Sequence, residues 1–247
     1  MGSLGTAIVT GLCDGVADPP SVVLSPRSAD RAAELAARFP SVRVATDNQA
    51  VLDGSGTVLV CLRQAHSGLL GDLTWRPEHV VVSAVPGLPQ ERLAGLVSPA
   101  AQVARAVPMP QVASRASATP VHPPLAPAVA LFDRLGGTLP IEDGDQFDAI
   151  FTALGTIAPF FRYLAVLADF LVDHGLSSTA AQSLVADSFA GVLGSLGGTE
   201  PPDFAELVKE YAPPGGGNAQ LTALLDEAGV FEAVRQALDT VHERFTG

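Results

Sequence analysis

The chain has 247 residues, 47% of them hydrophobic, and a mean hydropathy of +0.31, which predicts a large buried core divided between two domains. Its 14 Lys and Arg against 26 Asp and Glu give a formal net charge of −12, which argues against nucleic acid or an anionic membrane as the main partner, because both attract clustered positive charge. Lys209 is the only lysine and lies in a charged helical pattern, so few lysine-dependent mechanisms remain.

The first residues carry part of a nucleotide-binding turn. Residues 2–8 read GSLGTAI, which supplies the last two glycines of a G-x-G-x-x-G pattern and runs into an apolar helix. In a dinucleotide-binding fold a buried strand and a first glycine come before this turn, because the glycines let the backbone approach a pyrophosphate. The sequence holds neither. Two explanations stay open: a start further upstream, or a domain that has lost its first strand.

From Gly5 to about Gly136 the chain alternates short apolar runs with helical patterns. The runs are rich in valine and bounded by Gly, Pro, Asp or Ser, which is typical of buried parallel strands. A helix is predicted over residues 30–39, with Ser28 as its N-cap. The predicted strands cover residues 21–24, 42–45, 57–62, 80–85 and 102–107. This β-α-β order predicts a doubly wound sheet with the ligand over the carboxyl ends of its strands.

The end of the first predicted strand carries a positive residue. The segment Ser25-Pro26-Arg27-Ser28 has no Asp or Glu where an NAD-specific fold binds the ribose hydroxyls. Arginine with neighbouring hydroxyls instead accommodates a 2'-phosphate through charge-assisted bonds. We therefore predict a preference for NADPH over NADH. The alternative is that these residues only form a turn and a helix cap.

The pattern changes in the second part of the chain. Residues 107–127 are rich in proline and are predicted to be irregular strand and loop, not helix. After Asp143 only helices are predicted, over residues 147–174, 177–196, 202–211, 218–227 and 230–245. The apolar run 149–172, interrupted by Pro159, Arg162 and Asp169, is interpreted as a buried core helix and not a membrane span. So much apolar helix surface favours a homodimer or higher homo-oligomer through this half; a monomer is the alternative.

A glycine-rich segment joins two of these helices. Residues 211–221 read YAPPGGGNAQL, and three glycines after two prolines exceed what a simple turn needs. Such a loop leaves backbone N–H groups free at the start of the next helix, with Asn218 as a candidate cap, and this arrangement suits a carboxylate or another anion. The alternative is a flexible connection between two helices.

Cysteine and histidine usage indicates neither a disulfide nor a metal site. Cys13 and Cys61 lie in apolar surroundings without C-x-x-C spacing, which predicts reduced structural thiols and a cytoplasmic protein. The start lacks the basic region and long apolar region of a signal peptide. The five histidines show no metal-ligand spacing; they are His66, His79, His122, His174 and His242.

Five dispersed segments together resemble pyrroline-5-carboxylate reductase in order and spacing. They are residues 2–12, 25–28, 82–87, 105–108 and 214–217. The resemblance covers almost the whole chain and implies a Rossmann-type NADPH-binding domain, an all-helical dimerisation domain, and an active site shared between them. It further implies hydride transfer to the C=N carbon of a cyclic imine, a reaction of proline biosynthesis. We place the domains at residues 1–143 and 144–247, with the first strand of the Rossmann-type domain missing.

The resemblance also assigns candidate site residues. Candidate cofactor-binding residues are Gly2, Ser3, Leu4, Gly5, Ser25, Arg27, Ser28, Leu62, Arg63, Ala84, Val85, Pro108 and Met109. Candidate substrate-binding residues are Gly155, Thr156, Gly215, Gly216, Gly217 and Asn218. Candidate proton donors are Thr156 and Tyr163, although a tyrosine borne on a helix more often packs in the core. Imine reduction requires little beyond orientation, because the protonated iminium is already electrophilic and the cofactor carries the hydride.

Several residues depart from the family pattern. Gly217 and Asn218 stand where the family has hydroxyl residues that hold the substrate carboxylate, and Pro213 replaces a serine. Met109 stands in place of an asparagine near the nicotinamide, and Ala165 or Val166 in place of a helical glutamate. The pocket is therefore predicted to be more apolar than the family's and to accept a more hydrophobic cyclic imine.

Two further functions stay open. One is a non-catalytic relative that keeps the dimeric scaffold, suggested by the missing strand and Met109. The other is a β-hydroxyacid dehydrogenase, which shares the two-domain plan. Those enzymes use a lysine on the long interdomain helix, and residues 147–174 contain none, so we rank this function last.

Overall fold

The computed structural model describes residues 2–197 and 201–246. Contacts divide the chain into two compact units: Met1–Phe151 with Glu243–Gly247, and Thr152–His242. The first unit is α/β and the second is helical, so the α/β class with a helical C-terminal part is confirmed. The predicted boundary between residues 143 and 144 stays a prediction. The outer limits of the two predicted domains, Met1 and Gly247, lie outside the described residues.

The first unit contains seven strands. They are β1 (Val22–Leu24), β2 (Val42–Val44), β3 (Thr57–Val60), β4 (Val80–Ser83), β5 (Gln102–Ala106), β6 (Thr119–His122) and β7 (Thr138–Pro140). The helices are α1 (Ser3–Cys13), α2 (Ala29–Arg38), α3 (Asn48–Asp53), α4 (Gln90–Leu96), α5 (Ala126–Asp133) and α6 (Gly144–Leu154), the last of which runs into the second unit. Two 3-10 helices cover Gln64–Leu70 and Pro110–Ser114. The five strands predicted from the sequence are all present and are shorter by one or two residues.

The strands form two sheets. β1 pairs with β2, and the other strands form one sheet in the order β3-β4-β5-β6-β7. Pairing is parallel throughout except between β5 and β6. Both sheets contribute to one core, in which Leu24 and Val42 of the small sheet lie with Val82 and Ala104 of the large one. Valine suits these positions because its branched side chain packs well on a buried sheet face.

The division between the two sheets falls where a strand is expected. Within the described residues, β1 pairs only with β2, and β3 pairs only with β4. In the doubly wound order, the strand that precedes α1 lies between these two edges. The described chain has no strand there, and the two sheets are held in one unit by their shared core.

The proline-rich segment is more regular than predicted. The expectation that residues 107–127 contain no helix is wrong, because a 3-10 helix covers Pro110–Ser114 and α5 begins at Ala126. Pro110 and Pro127 lie at the first or second position of these helices, where the missing N–H costs nothing and the fixed φ favours helix. β6 also lies in this segment and pairs with β5 and β7.

His79 is a fully buried polar residue of the first unit. The backbone N–H of Arg76 donates to its Nδ1 at 3.0 Å, so the ring proton sits on Nε2, which donates to the carbonyl of Leu52 at 3.2 Å. The Trp75 ring packs perpendicular to the imidazole at a centroid distance of 5.7 Å. The imidazole therefore fixes the chain before β4 to the end of α3.

We expect His79→Ala to lower the free energy of unfolding by about 2–4 kcal/mol, because it leaves a cavity and leaves the backbone N–H of Arg76 without its partner, while the Leu52 carbonyl keeps other donors. Urea denaturation measures this loss. The matched control is His174→Ala, since His174 is exposed and its side chain contacts Phe170; it should change stability by less than about 0.5 kcal/mol. Equal losses in the two variants would contradict the role given to His79.

The second unit is built from helices with a small core of its own. Its helices are α7 (Ile157–Asp173), α8 (Ser178–Ser195), α9 (Phe204–Tyr211), α10 (Gly217–Glu227) and α11 (Val230–Thr246), whose last residues belong to the first unit. α7 and α8 pack through Ala168, Ala181 and Val185. Many larger apolar side chains stay exposed, among them Phe161, Phe170, Leu193, Phe204 and Phe231.

The apolar run 149–172 is not a buried core helix, so that prediction is wrong. It spans two helices, α6 and α7, that break at Gly155 and Thr156, and Phe161 and Phe170 are 62% and 60% exposed. By length and composition alone, the stretch Gly144–Asp173, which contains an 18-residue window of mean hydropathy 1.6, is the one part of the described chain long and apolar enough to cross a membrane. Length and composition are weak evidence, because apolar helices of other proteins pass the same test.

Candidate active site

The predicted cofactor-binding residues lie at one edge of the first unit. Ser25–Ser28 follow β1, Leu62 and Arg63 follow β3, Ala84 and Val85 follow β4, and Pro108 and Met109 follow β5. Because β3, β4 and β5 are parallel, the segments after them share the carboxyl edge of the sheet. This edge is where open α/β sheets bind their ligands.

The start of α1 lies beside α2, the helix that follows β1: Ser3 and Thr6 border the same hollow as Arg31. Gly2 is the N-cap residue in an extended conformation, and the hydroxyl of Thr6 donates to the Gly2 carbonyl at 3.1 Å. The N–H groups of Ser3, Leu4 and Gly5 belong to the first turn, where helical N–H groups have no partner inside the helix. Such N–H groups and the helix dipole favour an anion.

The Arg27 segment forms a polar cluster at the end of β1. The Ser25 hydroxyl donates to Oδ1 of Asn48 at 2.7 Å and accepts from the backbone N–H of Arg27 at 3.4 Å. The Arg27 guanidinium donates to Nδ1 of His66 at 3.2 Å. Ser28 is the N-cap residue of α2, as predicted, but its side chain makes no capping bond. The cluster joins the carboxyl ends of β1, β2 and β3.

The sequence reasoning missed Asn48 and His66. Both stand after the end of a strand at the edge where Arg27 lies: Asn48 begins α3 after β2, and His66 lies in the 3-10 helix after β3. The signal that could have found them is their position, since every strand-to-helix connection of a doubly wound sheet borders the ligand site.

A buried ion pair holds β5 to α6. The Arg105 guanidinium donates to Asp148 at 2.6 Å and lies 4.6 Å above the centre of the Phe147 ring. Within the described residues its Nε is buried without a hydrogen-bond partner. A cavity of about 10 Å³ borders Arg105, Ser83 and Gly87, which is the space of a single water molecule. The sequence analysis assigned no role to this pair.

The thiol of Cys61, which lies between β3 and Leu62, is unreactive. Burial raises the pKa of its thiol from 9.0 to about 11, because the charged thiolate loses its hydration. The thiol is therefore protonated at neutral pH and is a poor nucleophile. Within the described residues no three His, Cys, Asp or Glu side chains lie together in a way that would hold a metal ion.

Gly155 and Thr156 lie in the second unit, at the break between α6 and α7. The Thr156 hydroxyl donates to the carbonyl of Ala153 at 2.7 Å, and Thr156 is the N-cap residue of α7. Tyr163 is 43% exposed and packs edge-on against Phe189 at a centroid distance of 6.0 Å. The interpretation of Tyr163 as a buried core residue is therefore wrong, since much of its side chain stays accessible on α7.

The glycine-rich loop also lies in the second unit. Gly215 has φ +79°, and Gly216 is the N-cap residue of α10. The prediction that Asn218 caps this helix is wrong: its side-chain amide donates to the carbonyl of Tyr211 at 2.9 Å, which ties the helix start to the end of α9. The N–H groups of Gly217, Asn218 and Ala219 form the first turn of α10, so the loop presents backbone donors at a helix N-terminus.

Comparisons with known proteins give one consistent family. Residues 145–247 match the family described as pyrroline-5-carboxylate reductase dimerisation. The chain is similar to delta-1-pyrroline-5-carboxylate reductase of Gibberella fujikuroi, with 26% identity over 96% of this chain and 92% of the relative. The alignment therefore covers nearly the whole length of both chains.

Solved structures share the fold. The crystal structure of 1-pyrroline-5-carboxylate reductase from Streptococcus pyogenes has a TM-score of 0.80 and 22% identity, and covers 99% of this chain and 95% of that one. The structure of pyrroline carboxylate reductase from Plasmodium falciparum with NADP bound has a TM-score of 0.76 and 15% identity, and covers 99% and 94%. At these identities the likeness shows the fold.

Proposed function

From membership of this chain in the pyrroline-5-carboxylate reductase family, which the dimerisation match, the relatives and the fold support, we propose an NADPH-dependent reductase of a cyclic imine. The observation that carries the proposal is the Arg27 cluster at the carboxyl edge of the parallel strands. The backbone donors at the start of α1 supply a place for the pyrophosphate at the same edge.

The preference for NADPH rests on charge. No carboxylate lies in the segment after β1, where a NAD-specific fold carries one. Arg27 instead offers N–H donors that match a phosphate. The Plasmodium falciparum neighbour was solved with NADP bound, which agrees with this assignment.

Hydride transfer to the imine requires no catalytic side chain beyond those that orient the substrate and the cofactor. When bound, the cofactor supplies a hydride, so two electrons and one hydrogen pass to the C=N carbon, while the nitrogen of the protonated imine keeps its proton and becomes an amine. Thr156 already donates its hydroxyl proton to the Ala153 carbonyl, so it would have to rotate to donate elsewhere. Tyr163 is the other candidate donor, and its exposed side chain leaves the phenol free to move.

We assign the N-terminus of α10, at Gly217, to binding an anionic group of the substrate. Its first-turn N–H groups suit a carboxylate, although the hydroxyl side chains expected from the family are replaced by Gly217 and Asn218. Asn218 directs its amide to Tyr211 and does not replace them in the described state. We therefore propose a more apolar substrate than pyrroline-5-carboxylate, held by backbone donors.

The helical unit is assigned to self-association. Phe161, Phe170 and Phe204 expose 60% or more of their surface, and large uncovered apolar faces in a folded protein mark contact surfaces. The dimerisation match over residues 145–247 supports a homo-oligomer. We propose a cytoplasmic homodimer or higher homo-oligomer through these helices.

Titration of the purified chain with NADPH and with NADH, followed by nucleotide fluorescence, tests the proposal. We expect NADPH to bind at least about tenfold more tightly than NADH and to reduce cyclic imines, with apolar imines preferred over pyrroline-5-carboxylate. Binding without turnover of any imine would leave the oxidoreductase assignment unsupported. Failure to bind either cofactor would favour the non-catalytic dimeric scaffold, for which the split sheet and Met109 argue. A β-hydroxyacid dehydrogenase would instead oxidise hydroxyacids, and neither α6 nor α7 carries the lysine that those enzymes use.

A further inference from the structure

The Arg27 guanidinium does not stand alone at the edge assigned to the cofactor. Its NH2 nitrogen lies 3.2 Å from Nδ1 of His66, a residue 39 positions later in the chain. His66 is half-buried, and its backbone N–H donates to the Arg63 carbonyl at 2.9 Å. Ser67, its neighbour, is buried. The imidazole is therefore fixed at its base and directed to the arginine.

The contact orients the imidazole so that its Nδ1 faces the Arg27 guanidinium. A guanidinium can only donate, so Nδ1 of His66 must accept, and the ring in this state is neutral with its proton on Nε2. When both ring nitrogens carry protons, the same ring becomes a cation that donates from both sides. Neutral His66 therefore holds Arg27 by a hydrogen bond. Protonated His66 would repel Arg27 unless an anion lies beside both side chains.

The surroundings of His66 contain few other charges. Arg27 faces it from the segment after β1, and Arg63 directly precedes the 3-10 helix that carries it. Ser25 after β1 and Asn48 after β2 contribute neutral groups that bond to each other. The carboxylate of Asp47 accepts from the Ala50 N–H at the start of α3. The described contacts give His66 no carboxylate partner.

We propose that His66 is a second determinant of NADPH specificity, which holds Arg27 in the free protein and binds the 2'-phosphate as a cation. This inference rests on the proposed NADPH site. The phosphate dianion would lie against two positive groups, and its charge removes their mutual repulsion. Local positive charge of this kind matters here because the whole chain carries a net charge of −12, which repels an anionic cofactor over long range.

The inference predicts a linkage between proton and cofactor binding. If NADPH favours charged His66, NADPH affinity rises as pH falls through the range in which histidines ionise. NADH lacks the 2'-phosphate, so its affinity does not follow this rise. The 2'-phosphate itself gains a proton near the same range, with a second pKa of about 6, and a variant without the imidazole corrects for that effect.

The test compares wild type, His66→Gln and His66→Lys by titration with NADPH and NADH at about pH 6.5 and about pH 8.5. In wild type, the ratio of NADPH to NADH affinity should rise by about threefold to tenfold towards the lower pH. H66Q retains an acceptor for Arg27 but has no charge, so its ratio should be lower at both pH values and show none of this rise. H66K carries a fixed charge, so it should restore a high ratio that does not rise towards the lower pH.

The outcomes separate this inference from the proposed function. If wild type prefers NADPH and H66Q shows the same ratio and the same pH dependence, the role of His66 is wrong and the proposed function stands. If wild type binds neither cofactor, both are wrong. An equal loss of NADPH and NADH affinity in H66Q would show a purely structural role for the imidazole, which also overturns the inference.

Discussion

Replacing Arg27 with alanine is expected to weaken NADPH binding by about tenfold to a hundredfold and to leave NADH binding unchanged. A hydrogen bond to a charged group contributes about 1.5–3 kcal/mol, which corresponds to this range of dissociation constants. Arg27 is exposed at the end of β1, and its bond to His66 spans two loops that are assigned to the cofactor. Nucleotide fluorescence titrations of the purified variant measure both affinities.

The matched control removes the same charge from another place near α2. Arg38 ends that helix and pairs with Asp14 at 2.7 Å, with half of its side chain exposed. Arg38→Ala should alter NADPH affinity by less than about twofold, because exposed charges act weakly once separated by a Debye length. Arg27→Lys should lie between wild type and R27A, since lysine keeps the charge but loses the planar donor pair. Equal losses of NADPH and NADH affinity in R27A would contradict the 2'-phosphate assignment.

The arrangement of the first unit could be predicted because its signals are local. The runs around β3, β4 and β5 are short, rich in valine and bounded by turn residues, and burial on both faces requires little more than this pattern. The site edge followed from the same reasoning, because the segment after each parallel strand lies at one edge. The position of Arg27 predicts a cofactor contact in this way, whereas Ala84 and Met109 are assigned to the cofactor only by the resemblance to pyrroline-5-carboxylate reductase.

The remaining elements depend on long-range pairing. β6 and β7 contain prolines, which argue against strands when only the local sequence is considered. The pairing of β6 with β5 and of β7 with β6 becomes visible only once the chain has folded back. The division into two sheets has the same origin, because the sequence does not show whether β1 and β3 pair with each other.

Side-chain partners were the least predictable feature. Arg105 and Asp148 are 43 positions apart, and no periodicity links them. Asn218 was assigned to a cap because asparagine favours that position, yet Gly216 occupies it, and the loop at Gly215 turns the Asn218 amide towards Tyr211. Exposure of Phe161 and Phe170 was also missed, because an apolar helix that faces a partner has the composition of one that faces a core.

The contact of α1 with the segment after β5 leads to a large expected loss of stability. Gly11 lies inside α1, and a Cβ atom added there would stand 2.2 Å from the backbone carbonyl oxygen of Val112 and 2.6 Å from Cδ2 of Leu135. The carbonyl belongs to the 3-10 helix Pro110–Ser114 and Leu135 is fully buried, so neither can yield freely. We expect Gly11→Ala to lower the free energy of unfolding by about 3 kcal/mol, at the upper end of overpacking effects.

Gly95→Ala is the matched control for this prediction, because Gly95 also lies inside a helix, α4, and its added Cβ would meet nothing within 4 Å. There alanine should stabilise by about 0.5–1 kcal/mol, since it restricts the unfolded chain more than glycine does. Urea denaturation of the two variants therefore gives changes of opposite sign. Since the 3-10 helix begins directly after Met109, a shift of α1 should also weaken NADPH binding in G11A and not in G95A. A stable G11A with wild-type affinity would mean that α1 is free to move away from this segment without disturbing the site.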